Sequence, residues 1–168
     1  MKRIALLGIG ALCLFSQSDA ISCEDQRGWV TVEHSQLMKD EWRRHSATGF
    51  GQVTLDMNGD GISDHASLVV SRDGTKSGVK VCLGSEAVGD ADPNCRVLAE
   101  SENVYSVMGL EMRSPGCYEF HEDEAGEPSE GSVCSKFDAL EYFRFGSSSS
   151  FFVYNTRSGN FERYWDSH

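Results

Sequence analysis

The chain has 168 residues, about the length of one ordinary domain, and 39% of them are hydrophobic, which is enough for one modest core. Its 26 acidic and 15 basic residues give a formal net charge of −11. This charge argues against binding to a nucleic-acid backbone or to an anionic membrane surface, because both need clustered Lys and Arg. An acidic protein of this size instead suits a cation or a basic protein partner.

The first 20 residues have the pattern of a secretory signal peptide. Lys2 and Arg3 form a short basic start, and the apolar run at 4–15 is too short to span a bilayer by itself. We expect cleavage after Ala20, so that residues 1–20 are the signal peptide and residues 21–168 form a single domain. So brief a basic start is typical of bacteria, which predicts a periplasmic or secreted protein.

Export gives the cysteines a predicted role, because disulfides form in oxidising compartments. Cys23 lies at the new amino terminus, where it is free, paired or, at a sequence that loosely resembles a bacterial lipobox, a lipid anchor. The four cysteines that remain in the domain allow three connectivities, and pairing of neighbours closes the smallest loops. These four residues are Cys82, Cys95, Cys117 and Cys134.

Residues 35–45 lack Gly and Pro and predict one short amphipathic helix with Ser35 as its N-cap. Helical spacing places Leu37, Met38 and Trp42 on one side. The opposite, polar side is expected to carry Lys39, Asp40, Arg43 and Arg44.

The rest of the domain has the composition of short strands. Residues 52–55, 66–71, 79–83, 104–112, 139–145, 151–154 and 161–165 are predicted strands, and residues 84–96, 119–130 and 147–150 are predicted loops. Val79, Val81 and Leu83 alternate and therefore belong to one face. The sequence thus predicts an α+β domain, mainly β, with an antiparallel sheet and one short N-terminal helix, stapled by disulfides and by a calcium loop.

The calcium loop is predicted between the first two strands, at residues 56–64. Gly61 stands at loop position 6, where a sharp turn is needed, and the backbone carbonyl of Ile62 at position 7 is an expected ligand. Oxygen-bearing side chains stand at positions 1, 3, 5 and 9, which are the ligand positions of calcium loops; they are Asp56, Asn58, Asp60 and Asp64.

The pattern departs from an EF-hand, because position 12 is Ser67 instead of a bidentate Glu and both flanks are strands. In this respect it resembles the DxNGDGxxD loop of FG-GAP and VCBS-type extracellular repeats, in which the loop joins two strands. The resemblance covers nine residues and implies that the four side chains named above bind Ca²⁺. A propeller needs several such units, and this chain has one. The alternative is a Gly/Asp turn that binds no metal.

Enzyme motifs are poorly represented, since the sequence contains neither HExxH nor GxSxG. The acidic segment 119–130 is flanked by Cys117 and Cys134 and is predicted to be exposed. We expect Glu122, Asp123 and Glu124 in this segment to steer a basic partner electrostatically.

These features predict an exported, non-enzymatic, calcium-stabilised domain that binds another protein, such as a periplasmic inhibitor or immunity-type protein that blocks a toxin or hydrolase. Two alternatives remain open. One is a carboxylate-dependent hydrolase that uses the acidic segment. The other is a calcium-dependent carbohydrate-binding module that stacks an exposed aromatic ring on sugar.

Overall fold

A computed structural model describes residues 28–85, 94–102, 105–122 and 128–166, with the backbone alone for 122, 128 and 129. The strands of this part of the chain form two antiparallel sheets, which confirms the prediction of a mainly β chain. The predicted signal peptide and Cys23 lie outside the described residues. Among the helices that are described, none is long and apolar enough to cross a membrane.

The first sheet has the strand order β1-β3-β4-β5, and β2 also pairs with β3. Its strands are β1 (Trp29–Thr31), β2 (Gln52–Leu55), β3 (Asp64–Ser71), β4 (Ser77–Cys82) and β5 (Cys95–Ser101). Strands β1 and β2 lie end to end along the same edge of β3, because Val30 pairs with Val70 and Val53 pairs with Ala66. Val79 and Val81 of β4 are fully buried, as their alternation predicts.

The second sheet has the order β6-β9-β10-β11-β7-β8. Its strands are β6 (Met108–Arg113), β7 (Gly116–Glu122), β8 (Pro128–Ser135), β9 (Ala139–Arg144), β10 (Ser149–Asn155) and β11 (Asn160–Asp166). Consecutive strands β9, β10 and β11 are neighbours, so the predicted C-terminal meander is confirmed.

One hydrophobic core joins the two sheets. Buried side chains of the first sheet, including Leu68 and Val79, belong to the same cluster as Leu110, Leu140 and Phe152 of the second sheet. Burial of such side chains contributes roughly 1.5–3 kcal/mol each. The described strands therefore form a two-layer sandwich with its main core between the layers.

The β7–β8 hairpin covers a second, smaller core on the outer face of the second sheet. Tyr118, Phe120 and Val133 of the hairpin pack against a buried cluster that includes Phe151 and Val153. The prediction of a loop over 119–130 is therefore wrong for residues 119–122 and 128–130, which are strand. Alternating aromatic residues in β7 anchor the hairpin, and they outweigh the acidic composition that favours a loop.

The predicted helix over 35–45 is not continuous. The structure has a short α-helix, α1 (His34–Leu37), with Glu33 rather than Ser35 as N-cap, and then a separate 3₁₀ helix (Glu41–His45). Arg43, which was expected on the polar side, is fully buried. Its guanidinium donates to the carbonyl oxygens of Gly49 and Met108, each at 2.7 Å. These tertiary hydrogen bonds draw the segment inward and override its helix propensity.

Smaller differences occur at three other places. The predicted loop over 84–96 ends earlier than expected, because Cys95 already begins β5. The predicted strand over 104–112 begins as a 3₁₀ helix (Tyr105–Val107) before β6. Ser149 and Ser150 belong to β10 and are buried, not part of an exposed connection.

Candidate functional site

The candidate site is the connection between β2 and β3. Leu55 and Asp64 are paired across these antiparallel strands, so residues 56–63 form the hairpin loop between them. Gly59 and Gly61 both have positive φ, at 76° and 79°, a conformation that glycine adopts without strain. At Gly59 a Cβ atom would lie 2.0 Å from the Phe137 ring, so this position also needs glycine for space. Residues 56–64 thus form a tight turn that packs against the second sheet.

Side-chain oxygens of the loop bind the amides of the loop itself. Asp56 Oδ1 accepts from the Gly59 amide at 2.8 Å, and Asp56 Oδ2 accepts from the Gly61 amide at 3.1 Å. Asp60 Oδ1 accepts from the Ile62 amide at 2.8 Å. Each carboxylate oxygen offers two lone pairs, so one amide bond still leaves room for a cation.

The side-chain amide of Asn58 bonds to Asp60 within the same loop. Its Oδ1 accepts from the Asp60 amide at 3.0 Å, and its Nδ2 donates to Asp60 Oδ2 at 2.8 Å. Asp56, Asn58 and Asp60 thus lie together in one hydrogen-bonded turn, and Asp60 is exposed to solvent.

Asp64 differs from the other predicted ligands because it is completely buried. Its Oδ2 accepts from the Met57 amide at 2.7 Å, and its Oδ1 accepts from the Gly84 amide at 2.8 Å. Burial raises the pKa of Asp64, the two amide bonds oppose that rise, and the charges of Asp60 and Asp56 add to it. None of the ion pairs in the described part of the chain includes Asp64.

The loop is also bonded to the second sheet through Asp138, which immediately precedes β9. The Asp56 amide donates to Asp138 Oδ2 at 3.0 Å, and the Asp138 amide donates to the Asp56 carbonyl at 3.1 Å. Met57 is fully buried in the core between the sheets. No sequence motif predicts the role of Asp138, because 82 residues separate it from Asp56.

The donor chemistry of the loop fits a hard cation such as Ca²⁺, since all the side-chain donors are carboxylate or amide oxygens. Ser67, at position 12, lies in β3 opposite Gln52 and Lys80. Within the described residues, no three Asp, Glu, His or Cys side chains converge closely enough to hold a metal ion. The side chains of Asp56, Asn58 and Asp60, the carbonyl of Ile62 and the buried Asp64 remain the predicted ligand set.

The four cysteines of the domain form two disulfides. Cys82 pairs with Cys95 across β4 and β5, and Cys117 pairs with Cys134 across β7 and β8. In each case the two cysteines are directly opposite in the strand register. Of the three connectivities that the sequence leaves open, the structure therefore has the one that pairs neighbouring cysteines.

The predicted partner-binding residues are less fully placed. The backbone of Glu122 ends β7 and pairs with Trp165 of β11 and with Pro128 of β8. Asp123 and Glu124 lie outside the described residues. Electrostatic steering by this segment stays a prediction from the sequence.

Comparison of the chain with family models, with curated proteins and with solved structures found no match.

Proposed function

We propose that this chain is an exported, non-enzymatic domain that is stabilised by Ca²⁺ at residues 56–64 and binds a basic partner protein. The observation that carries the proposal is the position of the loop, which is hydrogen-bonded within the first sheet and to Asp138 at the start of β9. A cation bound to Asp56 and Asp60 would offset the repulsion among the loop carboxylates. It would thereby stabilise the turn that connects the first sheet to Asp138, which precedes β9 of the second sheet.

Calcium affinity in the range of exported modules, about 10⁻⁴–10⁻³ M, suits a structural ion. Asp64 adds a buried carboxylate to the loop, and the charges of Asp60 and Asp56 add to the rise of its pKa that burial causes. In the described residues the three carboxylates do not converge on one point, so a bound cation would have to draw them together. A divalent ion among these groups stabilises their charged forms. We therefore assign calcium to stability, not to catalysis.

Binding of a basic partner is supported by charge and by compartment. The net charge of −11 favours association with a cationic protein, and the disulfides suit an oxidising compartment such as the bacterial periplasm or the exterior. A periplasmic inhibitor or immunity-type protein, which blocks a basic toxin or hydrolase, combines these properties.

Reversal of the charges at Glu122, Asp123 and Glu124 to Lys tests this proposal. The folded protein is first used to capture a partner from its native extract, with and without chelator, and the association rate is then measured with the purified partner. We expect the variant to associate about ten times more slowly at low salt, with a smaller difference at high salt, because steering depends on unscreened charge.

A matched control reverses three other acidic residues, Glu33, Glu41 and Glu102, which are exposed and lie outside the acidic segment. The control has the same net charge as the test variant, so it should retain most of the wild-type rate. Equal slowing in both variants would contradict a steering role for residues 122–124. Hydrolysis of a cell-wall or glycan substrate by the purified protein would contradict the non-enzymatic assignment.

A further inference from the structure

An open cleft of about 240 Å³ lies beside strands β6 and β9 and the turn between β9 and β10. The residues that define its chemistry are Glu111, Glu141, Phe143, Phe145 and Ser149. None of the residues that line the cleft belongs to the loop at 56–64. Its size suits one side chain or one small ring, since drug-sized ligands occupy clefts of about 300–1,000 Å³.

Two carboxylates in the cleft lie directly opposite each other, because Glu111 of β6 pairs with Glu141 of β9. Arg113 donates from Nε to Glu141 Oε2 at 2.9 Å and also pairs with Asp166. In the described part of the chain, none of the ion pairs includes Glu111. Like charges opposite each other in a sheet are destabilising, so Glu111 carries a charge that an added cation would neutralise.

The pKa of Glu111 agrees with this geometry. Desolvation by its neighbours raises it although the residue is exposed, the charge of Glu141 raises it further, and Arg113 partly opposes both effects. Arg144 also lines the cleft, but it alternates with Glu141 and Phe143 along β9, so its side chain leaves from the other face of the strand.

Aromatic rings form another wall of the cleft. Phe145 stacks on Trp42 with ring centroids 4.5 Å apart, yet it remains 55% exposed. Phe143 contacts the same tryptophan edge-on, with centroids 6.2 Å apart. Exposed aromatic faces beside a carboxylate attract organic cations, because the ring quadrupole adds to the Coulomb attraction.

Ser149 supplies an independent indication of a ligand. This residue is only 4% exposed, it lines the cleft, and it lies opposite Phe143 in the strand register. Its Oγ is buried and has no hydrogen-bond partner within the described residues. Buried hydroxyl groups normally have a hydrogen-bond partner, so an N–H donor that enters the cleft would supply the partner that Ser149 Oγ lacks.

We propose that the cleft binds the ammonium group of a lysine side chain presented by the basic partner. Glu111 would accept a charge-assisted hydrogen bond, and rotation of the Ser149 side chain toward the cleft would let its buried Oγ accept a second. The methylene stem would pack on Phe143 and Phe145. The source of the lysine rests on the proposed function, whereas the preference of the cleft for an alkylammonium group does not.

The test is a titration of the folded protein with N-acetyl-lysine-methylamide, followed by backbone NMR shifts. Saturable shifts are expected at Phe145 and Ser149, and the norleucine analogue, which lacks the ammonium group, should cause none. Glu111→Gln keeps the side-chain shape and should weaken binding by about tenfold or more. Ser149→Ala should also weaken binding, while the matched variant Glu33→Gln, at an exposed acid elsewhere, should bind as the wild type does.

Absence of saturable binding, equal binding of norleucine, or undiminished binding by Glu111→Gln would overturn the assignment. Saturable binding of a monosaccharide at Phe145 and Ser149, without binding of the lysine probe, would overturn it in favour of a carbohydrate site. Because the titration uses no partner, these outcomes are distinguishable from failure of the proposed function. A captured partner that still binds would show that only the lysine assignment is wrong.

Discussion

Replacement of Arg43 by Met is expected to lower the free energy of unfolding by about 3–5 kcal/mol. The guanidinium is fully buried and donates to the carbonyls of Gly49 and Met108 at 2.7 Å and of Tyr105 at 2.5 Å. Methionine fills the space of the stem but leaves these acceptors unsatisfied, and each buried unsatisfied group costs about 1–3 kcal/mol.

Arg43 has this effect because it joins distant parts of the chain. Gly49 precedes the first-sheet strand β2, Tyr105 and Met108 lead into β6 of the second sheet, and Asp40 forms an ion pair with Arg43 Nε at 3.3 Å. Loss of the guanidinium therefore weakens the connection between the two sheets as well as the 3₁₀ helix.

Urea unfolding of the Arg43→Met protein measures the change. The neighbouring substitution Arg44→Met removes the same charge from an exposed position, so it should alter stability by only about 0.5 kcal/mol. A loss below about 1 kcal/mol for Arg43→Met would show that the carbonyls find other partners, and it would contradict the account of the broken helix.

Removal of the Cys117–Cys134 disulfide, by replacing both cysteines with Ser, is expected to cost about 3 kcal/mol. The bridge closes a loop with a sequence separation of 17 residues. The hairpin that it holds pairs with the rest of its sheet through Trp165 and Glu122 at the end of β11. Its other support is the small cluster around Phe151.

Hydrogen exchange distinguishes local from global effects of this change. Amides of β7 and β8 should exchange faster in the variant, whereas amides of β3 and β4 should keep most of their protection. The matched variant without Cys82–Cys95, which closes a loop with a separation of 13 residues, should lose similar stability but should open at β4 and β5. If amides of all strands lost protection equally in both variants, the prediction that the β7–β8 hairpin opens separately from the rest of the fold would be contradicted.

Much of the fold is predictable where the pattern is local. Strands β3, β4, β9, β10 and β11 follow from alternating or aromatic runs between turn residues. The sequence also identifies the four cysteines that form disulfides, but it leaves three connectivities open, and the strand register decides among them. Long-range contacts decide the rest. The helix over 35–45 is broken because Arg43 bonds to Tyr105 and Met108, which no local pattern indicates.

At the β7–β8 hairpin, the acidic composition of residues 119–130 predicts a loop, whereas the described residues of this range are strand. Tyr118 and Phe120 alternate with polar residues, and this period-two signal was available in the sequence, but the acidic residues that follow favour a loop. At the candidate site, the motif identifies Asp56, Asn58 and Asp60 as neighbours in one turn. It does not indicate that Asp138 would bind the same turn, because that contact depends on how the two sheets pack.

The calcium dependence of the melting temperature tests the central claim most directly. At about 10 mM Ca²⁺, a site with the affinity of exported modules should stabilise the protein by about 1–3 kcal/mol. That gain should raise the melting temperature of the wild type by about 2–10 °C. Asp60→Ala should abolish this rise. The control Asp73→Ala removes an aspartate from the β3–β4 turn, where it accepts bonds from Ser71 and Thr75, and it should retain the rise. A melting temperature that does not respond to calcium in the wild type, or an equal rise in Asp60→Ala, would contradict a calcium site at residues 56–64.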